Sequence, residues 1–60
     1  MKRLFRKGQR VRSLNDGKVM EVINYIKFKS KYLVECMWFD LEKKEVRIKQ
    51  YEENHLKKAS

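Results

Sequence analysis

Between Tyr32 and Asp40 apolar side chains occupy both sets of alternating positions, which no other stretch of the chain does so fully. Val34, Cys36 and Trp38 fall on one face of an extended chain; Leu33, Met37 and Phe39 fall on the other, interrupted by Glu35. β-Branched and aromatic residues fit a pleated strand. A strand apolar on both sides is enclosed on one and at least partly covered on the other, as in the centre of a small, strongly bent barrel. The flanking segments alternate more simply. Residues 9–14 predict a first strand with Val11 inward and Arg10 and Arg12 in water. Asn15-Asp16-Gly17 predicts a tight turn, because Asp-Gly tolerates positive φ. Residues 18–28 predict a long second strand. Met20, Val22, Ile26 and Phe28 form its better inward face, and Val19, Glu21, Ile23, Tyr25 and Lys27 the other. Both sets are apolar enough, and the strand long enough, to predict a bend near Asn24.

Lys27, Lys29 and Lys31 surround the next turn. After the central strand, residues 41–44 predict a polar hairpin loop without glycine. Residues 45–49 then alternate cleanly, with Val46 and Ile48 expected inside and Arg47 and Lys49 outside. Glu52 and Glu53 precede Lys57 and Lys58, the charge order that complements a helix dipole. A single helical or 3₁₀ turn is expected over residues 51–55, with Leu56 returning in a short closing strand. Phe5 is placed to plug an open end. These parts predict an all-β fold: one small SH3-like barrel of about five strands, with one short helical or 3₁₀ turn near the C-terminus. An OB-type barrel normally needs a longer chain and an inter-strand helix.

Length and charge narrow the functional classes. Sixty residues make a single domain, residues 1–60, with no cleft between domains and no room for a large cofactor. One cysteine excludes an internal disulfide framework and a cysteine-based zinc site. A lone thiol fits a reducing, cytoplasmic setting. No apolar run approaches the roughly 20 residues that span a bilayer, and residues 1–12 lack the apolar segment of a signal peptide. Sixteen Lys and Arg against eight Asp and Glu leave +8, a field that attracts polyanions or serves only solubility. Residues 1–7 form a basic arm that grips phosphates or frays.

Few side chains have the company that catalysis needs. Cys36 shares parity with Val34 and Trp38, which predicts burial, and no base is spaced to activate it. His55, the one histidine, lies in a polar turn and lacks metal-ligand spacing. Glu35 has no second carboxylate beside it, and a cross-strand Lys or Arg is its expected partner. Trp38 is a core residue or a stacking platform, and its parity favours the core. No phosphate loop or nucleophile elbow occurs. The chain therefore reads as a non-enzymatic binding module without metal or small-molecule cofactor. Its candidate nucleic-acid face interleaves Tyr25, Tyr32 and Phe39 with Arg10, Arg12, Lys27, Lys29, Lys31, Arg47 and Lys49. Aromatics there stack bases while cations follow phosphates, as in RNA or single-stranded DNA binding. The plainer account is a solvated basic face, and the functional alternative is a protein-interaction module with acidic partners, using a strand edge or a loop groove.

Phe5, Gly8 and Val11, then Gly17 with Met20 and Val22, then Val34-Glu35-Cys36 with Trp38-Phe39 resemble the YodC-like family of small uncharacterised bacterial proteins. The similarity covers about three quarters of the chain, and residues 34–39 are its most specific part. Asn15-Asp16-Gly17 replaces the paired glycines usual there, and the segment from Ile26 to Leu33 is longer and more basic. The resemblance implies an SH3-like barrel in a bacterial cytoplasm and implies no activity.

Overall fold

The computed structural model describes residues 3–59. Five antiparallel strands form one sheet: β1 (Arg10–Ser13), β2 (Val19–Phe28), β3 (Lys31–Asp40), β4 (Glu45–Tyr51) and β5 (Leu56–Lys58). Their order is β4-β3-β2-β1-β5, a four-strand meander with β5 returning beside β1 through a 3₁₀ turn at Glu53–His55. That order, with the turn between the last two strands, is the SH3-like arrangement expected from the sequence. The edge strands β4 and β5 do not pair with each other. No helix among the described residues is long and apolar enough to cross a membrane.

The core is small and consists of Phe5, Val11, Met20, Val22, Val34, Cys36 and Leu56, with Tyr25, Trp38 and Tyr51 packed against it from the rim. Val11, Val22, Val34 and Cys36 are fully enclosed. Trp38 keeps the inward parity of its strand but is only half-buried. Burying a side chain of this size fully contributes about 1.5–3 kcal/mol, so every enclosed position matters in so short a chain.

Turns are set by a few local hydrogen bonds. Gly17 takes φ +76°, its N–H reaches the Ser13 carbonyl at 2.8 Å, and Asp16 Oδ1 accepts from the Lys18 N–H at 3.1 Å. In the β3–β4 loop Asp40 Oδ1 accepts from the amides of Glu42 and Lys43 at 3.0 and 3.2 Å. Without a glycine there, Lys44 itself adopts φ +53°. Lys29 does the same at φ +58° in the β2–β3 turn.

Two facing assignments differ from the sequence reading. The register of β2 against β3 shifts between Val22 and Asn24, a bulge at the expected bend. Met20 and Val22 point inward, but one added residue reverses the parity beyond it. Tyr25, opposite Val34, then meets the core, while Ile26 and Phe28 turn outward beside Leu33 and Lys31. In β4 the expected facing is inverted. Val46 pairs with Phe39 and Ile48 with Met37, so both lie on the outer face and are 59% and 56% exposed. Arg47, Lys49 and Tyr51 pair with Trp38, Cys36 and Val34 and take the inner side. Val34 and Cys36 fix which face of β3 is enclosed, and the ladder imposes that choice on β4.

Candidate nucleic-acid interface

The expected site residues separate into three places. Arg10 and Arg12 lie exposed on the outer face of β1, opposite Glu21 and Val19. Arg12 also donates to the Gly17 carbonyl at 2.9 Å, bracing its turn. They pair with the first residues of β2, whereas the β2–β3 turn lies at its far end, roughly 20 Å along the strand. The structure does not bring these arginines to the other lysines.

The second place is the β2–β3 turn. Lys27, Lys29 and Lys31 all project into solvent, and Lys27 lies opposite the half-buried Tyr32. Phe28, missed as a site residue because its parity was read as inward, is 50% exposed with the Lys29 ammonium 5.5 Å from its ring centroid. Lys31 is drawn towards Glu52 at 3.4 Å. Lys27 and Lys29 make no ion pair among the described residues. Both hold their charge free for another anion.

Arg47 and Lys49 form the third place, on the inner side of β4. Arg47 is neutralised by Asp40 and Glu45, each at 3.5 Å. Lys49 makes no such pair among the described residues; its ammonium lies 5.4 Å from the Tyr51 ring centroid. Trp38, facing Arg47 across the ladder, has the Lys18 ammonium 3.9 Å over its ring. That cation covers the face a stacked base would need, so Trp38 belongs to the rim of the core.

A groove of about 700 Å³ joins the second place to the third. It opens where β4 ends and uncovers the first residues of β3. Phe28, Lys31 and Leu33 line one wall, Lys49 and Tyr51 another, and the β1–β2 loop with Leu14 and Asp16 closes it. Burial pushes the Tyr51 hydroxyl above its ordinary pKa, and the Asp16 charge adds to this. Its ring is a neutral, half-buried surface throughout the physiological range.

Tyr25 is not a free platform. Its hydroxyl donates to Glu53 Oε2 and accepts from the Phe5 N–H at 3.1 Å, while Leu4 N–H donates to the same carboxylate at 3.0 Å. Burial, then the hydrogen bond to Glu53, raises its pKa. Arg3 lies 5.0 Å over the ring. From Arg3 onward the basic arm is thereby fastened to the barrel; Met1 and Lys2 lie outside the described residues.

The remaining chemistry is sparse. Cys36 is enclosed, and burial followed by the Glu35 charge pushes its thiol up to about 11. Glu35 accepts from Gln50 Nε2 at 3.0 Å rather than from the Lys or Arg expected of it. His55 is exposed beside the groove. Among the described residues, no three His, Cys, Asp or Glu side chains gather as metal ligands would. Neither family models, nor curated proteins, nor solved structures match the chain.

Proposed function

We propose that this protein is a non-enzymatic module that binds single-stranded nucleic acid, RNA or DNA, at the β2–β3 turn and along the adjoining groove. The observation that carries the reading is the half-exposed Phe28 with the Lys29 ammonium near its ring and Lys31, Lys49 and Tyr51 lining the same groove. A base stacked on Phe28 contributes about 1–3 kcal/mol, and the lysines track the phosphates on either side. About four phosphates contacted would give a log–log salt slope near −3 for a single strand. Arg10 and Arg12, on β1 and outside the groove, add long-range attraction rather than contacts within it. A cytoplasmic setting and kinship with the YodC-like family belong to the same proposal; the segment Val34 to Phe39 supports the kinship.

The test is an anisotropy titration with a labelled ten-nucleotide oligouridylate. Phe28→Ala should weaken binding about 10- to 100-fold, and Lys29→Glu with Lys31→Glu should weaken it further. Arg10→Glu with Arg12→Glu should cost less than either. If the β1 pair costs most, the groove is not the site.

One observation favours a protein partner instead. Leu14, Phe28, Leu33 and Tyr51 make part of the groove apolar, and Asp16 and Glu52 set two carboxylates in its wall. An extended peptide would use such a lining. Partners that persist in a pull-down after nuclease treatment would support this second reading over the first.

A further inference from the structure

Strand β4 is a seven-residue sheet edge that pairs with β3 without a register shift and contains neither proline nor glycine. Its free side makes no backbone hydrogen bond to any described residue; only β3 pairs with it. The outer face at this edge is apolar. Val46 and Ile48 stand more than half exposed beside Phe39, itself 54% exposed, and Met37. An open edge next to exposed apolar side chains is a template for another strand.

We propose that β4 pairs antiparallel with β4 of a second copy about a two-fold axis at Arg47, making one continuous ten-stranded sheet. The sequence of the strand is self-complementary about that residue. An axis perpendicular to the sheet preserves faces, so each residue must oppose one of the same parity. Centred on Arg47, Glu45 lies opposite Lys49 of the second copy, and Val46 lies opposite Ile48, each pair occurring twice. Both apolar pairs lie on the outer face, where Phe39 and Met37 of each copy flank them. The two guanidiniums meet at the axis, but each is neutralised within its own chain by Asp40 and Glu45. Moving the axis to Ile48 would set Arg47 against Lys49 twice. Moving it to Val46 would keep Glu45 against Arg47 but would set Lys43 against Lys49 and Ile48 against Lys44, each twice. Charge and apolar matching together therefore select the register at Arg47. The partner is a second copy because the strand supplies both members of every favourable pair.

Edge pairing buries less than a standard interface of about 1,600 Å², so dissociation on the order of 100 μM is expected. Sedimentation velocity of the intact chain between about 10 μM and 1 mM should show a monomer–dimer equilibrium. Glu45→Lys and Lys49→Glu should each weaken it about tenfold, and the double exchange should restore it, because opposite charges again face each other. Arg47→Cys places identical residues opposite each other at a separation a disulfide accepts, so mild oxidation should give a covalent dimer. Val46→Cys and Ile48→Cys should not cross-link, since neither faces itself. Cys36 stays out of the reaction: it is enclosed, with its thiol pushed up to about 11. A monomer at 1 mM, dimerisation indifferent to the charge exchange, or equal cross-linking at all three positions would overturn the proposal.

Discussion

Tyr25 shows how much a single residue can carry in a chain of this size. One hydroxyl bridges the arm at Phe5 and the 3₁₀ turn at Glu53, two segments far apart in sequence. Tyr25→Phe takes the Phe5 N–H's acceptor away and leaves the Glu53 carboxylate to the Leu4 N–H and water, and should cost about 1 kcal/mol in urea unfolding. Faster amide exchange at Leu4 and Phe5 should accompany the loss; an unchanged midpoint would mean the bridge is idle. This role was hidden in the sequence, where Tyr25 falls among the outward positions of β2. Only the bulge before Asn24 turns it inward; a bend there was legible from the strand's length and two apolar faces, but not that it reverses the parity of everything beyond it. Val11, Val34 and Cys36, by contrast, were legible as core because short-range alternation decides them. The Cys36 thiol follows from the same enclosure. It should resist iodoacetamide at pH 8 until the protein is unfolded, and rapid labelling of the native chain would contradict its burial.

At the scale of elements, existence was legible and orientation was not. All five strands and the 3₁₀ turn lie within two residues of the segments their local patterns predict. Turn chemistry is local too, as Gly17 at φ +76° shows. Alternation in β4 establishes that Val46 and Ile48 share a face but cannot say which. That decision belongs to β3, through pairing that the segment itself does not encode. The candidate site inherits the same limit: the three lysines of the β2–β3 turn were visible, while Phe28 and Tyr51 were assigned through parity or passed over. The glycine-free β3–β4 loop also leaves a measurable strain. Lys44 holds a left-handed backbone at φ +53°, and Lys44→Gly should stabilise the domain by about 1 kcal/mol in thermal or urea unfolding. Destabilisation would mean that its side chain supports the loop.

Across the whole molecule, titration should frame a stable interval. The Lys18 and Lys43 amides hold Asp16 and Asp40 below the ordinary carboxylate value of 3.8. The stability they contribute is complete above that value and is lost as pH falls through their lowered pKa values. Tyr25, Tyr51 and Cys36 are shifted upward, so their contribution is complete below their ordinary values and is lost as pH rises through the raised ones. The melting temperature should therefore be level between about pH 5 and 9 and decline on both sides. Asp16→Asn with Asp40→Asn should flatten the acid limb; an acid limb indifferent to both would remove these turns as its cause. The excess of positive charge was legible from composition, but its division between β1, the β2–β3 turn and the inner side of β4 was not.

A single strand is proposed to bind at the β2–β3 turn and along its groove. Amide chemical shifts of the labelled protein, titrated with a ten-nucleotide oligouridylate and with heparin at two salt concentrations, test this most directly. Oligouridylate should shift residues 27–33 and 49–51 together, in wild type far more than in Phe28→Ala, with affinity falling steeply as salt rises. Heparin should shift lysines without discriminating between wild type and Phe28→Ala. Shifts spread over Arg10, Arg12, Lys57 and Lys58, or identical responses to both polymers, would contradict it.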